Sequence, residues 1–133
     1  MDTTQTFFTI QEAAAQTGLT VHTLRYYERI GLLMPIGRAA NGHRRYSQQD
    51  ISFIGTLYCW LQTGMPLDDI QLYVKLVQQG DETAAERRAL LENHRQSVVS
   101  QIDQLQATLQ LIDFKIQNYA DIEHKLEQIE ELA

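Results

Sequence analysis

The feature that most limits the possible folds is a long segment, residues 82–119, that contains neither glycine nor proline. Because these two residues are the usual helix breakers, the segment predicts one uninterrupted helix of roughly 57 Å. From Val98 onward its apolar residues recur in alternating steps of four and three, the heptad spacing of a coiled coil. The apolar stripe consists of Leu91, Val98, Ile102, Leu105, Leu109, Ile112, Ile116 and Tyr119. One chain cannot bury so narrow a stripe, so we expect a dimer seam and favour pairing with a second copy over pairing with a foreign helix.

The apolar spacing changes after Tyr119. Ile122, Leu126 and Ile129 continue the pattern in a shifted register. We interpret the shift as a break near residue 120, followed by a short terminal helix. The expected organisation is a domain over residues 1–79, a dimerisation helix over 80–119 and a short C-terminal helix over 120–133.

Residues 9–29 carry the signals of a helix-turn-helix. Thr9 and Glu12 form a capping box that begins a helix near residue 10, and Gly18 is suited to end it. Thr20 can then cap a second helix over about 21–29. Two short helices joined by a tight turn with glycine are typical of this motif.

Residues 30–78 predict a wing and two further helices. Gly31 ends the second helix, and Asn41-Gly42 is a strong hairpin signal, so its flanks are expected to form a small two-stranded wing. Ser47 begins a third helix over about 48–63, and Pro66 fits the first turn of a fourth. We expect the Tyr and Phe side chains of these two helices to lie in the core.

The charge of the chain is unevenly distributed. The formal net charge is −6, yet residues 22–46 contain five arginines and only one acid, Glu28. On the second helix, His22, Arg25, Tyr26 and Arg29 share one face, and all four side chains suit phosphates and base edges. The separated charges therefore indicate a local anion-binding patch.

Taken together, these residues resemble the MerR family of bacterial transcription regulators. The resemblance is carried by Gly18-Leu19-Thr20-Val21-His22-Thr23-Leu24-Arg25-Tyr26-Tyr27-Glu28, by Ile30-Gly31-Leu32-Leu33 with Pro35, by Arg44 and Tyr46, and by Thr63-Gly64-Met65-Pro66-Leu67-Asp68-Asp69-Ile70. It implies a mainly α fold, in which a winged helix-turn-helix domain precedes a long helix that forms an antiparallel coiled coil in a homodimer. It also implies that the dimer distorts double-stranded promoter DNA for RNA polymerase.

The resemblance also implies which residues bind DNA. The recognition-helix positions are Thr20, His22, Thr23, Arg25, Tyr26 and Tyr27, and the exposed face adds Arg29. Arg44 and Tyr46 lie on the implied wing, Arg38 is similar to a basic position there, and Arg45 is expected near its tip. His43 stands where an aromatic residue is common in the family.

Cys59 is the chain's single cysteine, so a disulfide scaffold or a multi-cysteine metal site within one chain is not expected. Its position is similar to that of the lone cysteine in the family branch that responds to aldehydes or nitrosative stress. On the third helix it shares a side with small and polar residues, which favours a reachable thiol. Two interpretations stay open at this point, a sensor thiol and a small buried apolar residue.

The predicted function is that of a dimeric, sequence-specific transcription regulator that is not an enzyme and has no metal or other cofactor. The alternative is a coiled-coil interaction protein whose small domain binds something other than DNA. No apolar run is long enough to span a membrane, and the N-terminus is polar, so we expect a cytoplasmic protein.

Overall fold

A computed structural model describes residues 6–132. The structure is mainly helical, as predicted. Its elements are α1 (Ile10–Thr17), α2 (Val21–Arg29), β1 (Gly37–Arg38), β2 (Arg44–Arg45), α3 (Gln48–Gln62), α4 (Leu67–Gln78), a 3₁₀ turn (Asp81–Thr83) and α5 (Ala84–Leu132).

The helix-turn-helix forms as its capping residues predict. The Thr9 hydroxyl accepts a hydrogen bond from the Glu12 backbone N–H (3.1 Å), and the Glu12 carboxylate accepts one from the Thr9 N–H (2.9 Å). Gly18 adopts a left-handed φ of 75° that ends α1, and Thr20 caps α2. The turn is therefore tight enough for α1 to pack on α2.

The hydrophobic core lies between α1, α2, α3, α4 and the wing. Its buried residues are Ile10, Ala13, Leu24, Leu32, Leu33, Tyr46, Ile51, Ile54, Leu57, Met65 and Ile70. At one side Trp60 meets Tyr73 edge-on, with ring centroids 5.0 Å apart, and Phe53 lies parallel to Tyr73. These three aromatic side chains are partly buried, but Tyr58 is 45% exposed, so its predicted place in the core is wrong. A tyrosine can keep its hydroxyl in water, and an apolar pattern alone does not fix its burial.

The predicted wing is present as a short hairpin. Gly37 pairs with Arg45, and Arg38 pairs with Arg44. Two backbone hydrogen bonds hold the loop: the Gly42 N–H donates to the Ala39 carbonyl (2.9 Å), and the Ala39 N–H donates to the His43 carbonyl (2.8 Å). Because Gly42 has a φ of 85°, a glycine suits this position better than any residue with a side chain.

The N-terminal strand segment extends the wing. Phe8 and Tyr46 form a bridge in which each N–H donates to the other's carbonyl, both at 2.8 Å. No pattern in the sequence predicts this pairing, because an isolated bridge has no turn signal of its own.

The start of α5 is tied to the end of α4. The Thr83 hydroxyl donates to the Leu76 carbonyl at 2.6 Å, and the Arg87 side chain donates to Thr83 and to the Gly80 carbonyl. The chain divides into two compact units with the boundary between Glu92 and Asn93. The first unit thus extends beyond residue 79, because these bonds join the first turns of α5 to it.

The predicted break near residue 120 is wrong. Helix α5 continues from Ala84 to Leu132, so there is no separate terminal helix. The residues around the change of spacing include no glycine, proline or capping turn. A register shift of this size alters the winding of a coiled coil without ending its helices.

Most of the seam residues of α5 are exposed to solvent in the single chain. Leu91 and Val98 are half-buried, while the apolar positions from Ile102 to Tyr119 are exposed; Leu105, for example, is 69% exposed. Within residues 6–132, no helix is both long and apolar enough to cross a membrane.

Candidate nucleic-acid interface

Helix α2 has one buried face and one cationic face. Leu24 is fully buried, and Val21 and Tyr27 pack partly against the core. This arrangement leaves Arg25 exposed, together with the side chains on the same face: His22, Tyr26 and Arg29. The predicted separation of the two faces is therefore present in the structure.

The threonines at the start of α2 mainly shape the helix end. The Thr20 hydroxyl accepts from the Thr23 N–H at 3.0 Å and lies 2.9 Å from the Thr23 hydroxyl. Thr20 is exposed and Thr23 half-buried. The pair therefore fixes the position from which α2 leaves the turn.

Aromatic rings accompany the cations of α2. The guanidinium carbon of Arg29 lies 5.4 Å from the centre of the Tyr26 ring, within cation–π range. Tyr26 in turn lies 6.3 Å from Tyr27, between ring centroids. Burial, the largest cause, raises the pKa of Tyr27, and the nearby phenols of Tyr58 and Tyr26 act in the same direction.

An ion pair joins the wing to helix α2. The Arg44 Nε lies 2.7 Å from the Glu28 Oε1, and both side chains are largely buried, at 24% and 22% exposed. A charge-assisted bond of this length in a shielded place fixes both partners. In the sequence, the only signal of this pairing is that Glu28 is the single acid among five arginines.

The two other wing arginines have different partners. Arg38 donates from Nη1 to the Gly42 carbonyl at 2.9 Å, across the hairpin loop. The guanidinium carbon of Arg45 lies 3.8 Å from the centre of the Phe7 ring. Arg38, Arg45 and His43 are all exposed, so the wing presents two guanidinium groups and an imidazole to solvent.

Tyr46 is not part of the exposed surface formed by α2 and the wing. Its side chain is fully buried, and its hydroxyl has no hydrogen-bond partner among residues 6–132. Burial, first, and the neighbouring Glu28 carboxylate raise the pKa of its phenol. The expectation that Tyr46 contacts DNA is wrong, because side chains alternate along a strand and the bridge to Phe8 turns this one inward.

A cleft of about 310 Å³ opens between the start of α1, helix α2 and the wing. It brings together arginines that are distant in sequence, Arg25 of α2 with Arg38 and Arg44 of the wing. The remaining lining residues are Thr9, Ile10, Gln11, Gly42 and His43. Converging guanidiniums at the beginning of a helix suit a phosphate group.

Cys59 is exposed on α3, in agreement with the expected reachable thiol. The interpretation of Cys59 as a buried apolar residue is therefore wrong. Among residues 6–132, no three His, Cys, Asp or Glu side chains come together as a metal site.

Two family models match the chain. One, described as MerR HTH family regulatory protein, matches residues 8–76, and another, described as MerR, DNA binding, matches residues 61–114. The first covers the helix-turn-helix, the wing and helices α3 and α4, and the second reaches from α3 into α5.

Curated relatives are transcription regulators. An HTH-type transcriptional regulator of Haemophilus influenzae is 37% identical over 112 residues, which cover 84% of this chain and 83% of the relative. The HTH-type transcriptional regulator AdhR of Bacillus subtilis is 38% identical over 90 residues, covering 68% of this chain and 64% of AdhR. These relatives confirm the prediction that the chain is not an enzyme.

Solved structures give the same result. The structure of HiNmlR, a MerR family regulator lacking the sensor domain and bound to promoter DNA, superposes with a TM-score of 0.80 at 35% identity, covering 87% of this chain and 92% of that one. A MerR family transcriptional regulator from Listeria monocytogenes superposes with a TM-score of 0.84 at 33% identity, covering 93% and 98%. The chain therefore belongs to the MerR family of helix-turn-helix, DNA-binding transcription regulators.

Proposed function

We propose that this protein controls transcription as a homodimer that inserts α2 into the major groove of promoter DNA and places its wing on the phosphate backbone. The observation that carries the proposal is the exposed cationic face of α2 beside an arginine-bearing wing. A major groove about 12 Å wide accepts one α-helix, and a guanidinium there can bind guanine through two hydrogen bonds.

The basic cleft supplies the positioning part of this contact. Arg25 and Arg38 line the cleft together with Arg44, which is paired with Glu28. A phosphate in this place would hold α1, α2 and the wing in register on the duplex, because backbone contacts fix orientation while base contacts read sequence. We assign the cleft to a phosphate and the outer face of α2, with His22 and Tyr26, to base edges.

The uncovered seam of α5 supports a homodimer. From Ile102 to Tyr119 its apolar residues alternate in heptad steps and are exposed in the single chain, which is the state of a coiled-coil helix without its partner. Exposed apolar residues in such a row mark a protein interface. Two DNA-binding units on one pair of helices would contact the duplex at a set spacing, and bending the DNA to meet both would cost on the order of several kcal/mol. We propose that RNA polymerase responds to this distortion.

A titration of duplex DNA tests the DNA-binding part of the proposal. A pool of random duplexes is first enriched on the wild-type protein, and the selected duplex is then titrated at about 50 mM and 200 mM salt. We expect affinity to fall by about 10³-fold or more between the two, because phosphate contacts release counterions. Failure to enrich any duplex at low salt would favour the alternative of a coiled-coil interaction protein.

We also propose that thiol chemistry at Cys59 switches the regulator. The exposure of Cys59 supports this, because an electrophile can reach the sulfur. Cys59→Ser should leave the affinity for the selected duplex unchanged while removing the transcriptional response to an aldehyde or a nitrosothiol. If the serine variant still responds, Cys59 is not the sensor.

A further inference from the structure

The three arginines of the wing differ in how many of their donors the protein already uses. Arg44 is committed to Glu28, and Arg38 donates to the Gly42 carbonyl. Arg45 has no hydrogen-bond acceptor or carboxylate partner among residues 6–132 and is exposed. A guanidinium carries five N–H donors and no acceptor, so Arg45 keeps its hydrogen-bonding capacity for something outside the chain.

The position of Arg45 is nonetheless defined, because its guanidinium carbon lies 3.8 Å from the centre of the Phe7 ring. The bridge between Phe8 and Tyr46 explains this contact. Phe8 packs on the core and Tyr46 is buried, so their neighbours Phe7 and Arg45 point to the opposite, outer side. Such diagonal neighbours across two strands lie within reach of aromatic and long side chains.

The other flank of Arg45 is open. Its cross-strand partner is Gly37, which has no side chain to compete with the Phe7 ring. A guanidinium stacked on a ring is restricted in its rotations while the N–H groups at its edge stay free. Since an ordered side chain loses less entropy on binding, such stacking favours association.

We propose that Phe7 is a positioning residue that holds Arg45 ready to bind a phosphate of the DNA duplex. This inference rests on the proposed function, in which the wing lies on the backbone. Phe7 itself need not touch DNA, since its part is to restrict the guanidinium. It was absent from the candidates drawn from the sequence, because nothing in the spacing connects residues 7 and 45.

The test is a double-mutant cycle on the selected duplex, with Phe7→Leu, Arg45→Ala and the double variant. Leucine keeps an apolar side chain but removes the ring, so we expect Phe7→Leu to weaken binding about twofold to fivefold. Arg45→Ala should weaken binding and reduce the salt slope by about 0.9, the value for one phosphate contact. In the Arg45→Ala background, Phe7→Leu should have no further effect, and Phe7→Tyr, which restores a ring, should bind like wild type.

Each result has one meaning. The inference would be overturned if Phe7→Leu lowered DNA affinity equally with and without Arg45. It would also be overturned if Phe7→Leu did not change DNA affinity, or if Arg45→Ala left the salt slope unchanged. Thermal unfolding of Phe7→Leu, whose side chain is 38% exposed in the wild type, checks that the fold is intact. Wild-type binding is measured in parallel, so failure of the proposed function, in which no duplex binds, is distinguishable from failure of this inference alone.

Discussion

Arg25 connects the two parts of the proposed DNA-binding surface, because it is exposed on α2 and also lines the cleft beside the wing. Among residues 6–132 it has no hydrogen-bonded or ionic partner. Its loss would therefore be felt in DNA binding more than in folding.

Replacing Arg25 with alanine should cost about 1–3 kcal/mol of binding free energy to the selected duplex if the side chain reads a base, and should then relax specificity at that position. If it binds a phosphate in the cleft, the loss should be uniform across sequences. Arg88→Ala is the matched control, because it removes the same charge from a residue that pairs with Glu92 on α5. Equal losses in the two variants would contradict a specific role for Arg25.

Tyr46 offers a test of burial against DNA contact. Tyr46→Phe removes a hydroxyl that is buried without a partner within the described chain, so we expect the free energy of unfolding to rise by about 1 kcal/mol, as measured by urea denaturation. Affinity for DNA should not change. Tyr26→Phe, at an exposed position on α2, is the control and should leave stability unchanged. Weaker DNA binding by Tyr46→Phe would return Tyr46 to the interface.

The same residue gives a dependence on alkaline pH. Burial raises the pKa of Tyr46 above its ordinary value of 10.0, so the folded state holds this proton more tightly than the unfolded state does. The resulting stability is fully present below pH 10 and is lost as the pH rises towards the pKa of the folded state. The thermal midpoint should therefore fall above pH 10, and Tyr46→Phe should show a smaller fall than wild type.

At the scale of elements, the helix ends determine how the wing and α2 are placed against the core. Ser47 caps the N-terminus of α3, next to the wing. Its hydroxyl accepts a hydrogen bond from the Asp50 N–H at 3.0 Å, and the Asp50 carboxylate accepts one from the Ser47 N–H at 2.9 Å. This capping box follows directly after buried Tyr46. It therefore fixes the junction between the wing and the core.

Ser47→Ala should lower the free energy of unfolding by about 1 kcal/mol, because the cap is lost and N–H groups of the first turn lose their acceptor. Ser52→Ala is the control in the same helix. Its side chain is exposed and alanine is the better helix former, so we expect stability to be unchanged or slightly higher. Similar losses of unfolding free energy in both variants would show that the Ser47 cap makes no specific contribution to stability.

At the scale of the whole molecule, the proposed homodimer depends on the apolar seam of α5. Leu105 on the seam and Leu111 off the seam are equally exposed in the single chain, at 69% and 68%. They therefore form a matched pair: an aspartate at either position has similar exposure in the single chain, and only pairing with a second helix would distinguish their effects.

Leu105→Asp should convert the dimer to a monomer in sedimentation equilibrium and abolish tight binding to the selected duplex, because a charge on the seam would be buried by the partner. Leu111→Asp should stay dimeric and bind DNA like wild type. A monomeric Leu105→Asp variant with full affinity would contradict the role of dimerisation in DNA binding.

Local patterns were enough to predict much of this protein. The helix-turn-helix and the wing followed from sequence, because their signals act through backbone atoms only a few residues away. These signals are the capping threonines and serine, Gly18 and the Asn41-Gly42 turn. The resemblance to the MerR family added the expected DNA contacts of α2, which stay a proposal. The dimer seam is also a local pattern, although its partner stays a proposal.

Only the tertiary structure distinguished the roles of residues that look alike in the sequence. Arg38, Arg44 and Arg45 are equivalent as letters, but one braces a loop, one pairs with Glu28 and one stacks on Phe7. The burial of Tyr46 likewise follows from its pairing with Phe8, far away in the chain. The physical reason is that helix caps and turns act between near neighbours, whereas burial and ion pairing depend on which distant segments the fold brings together.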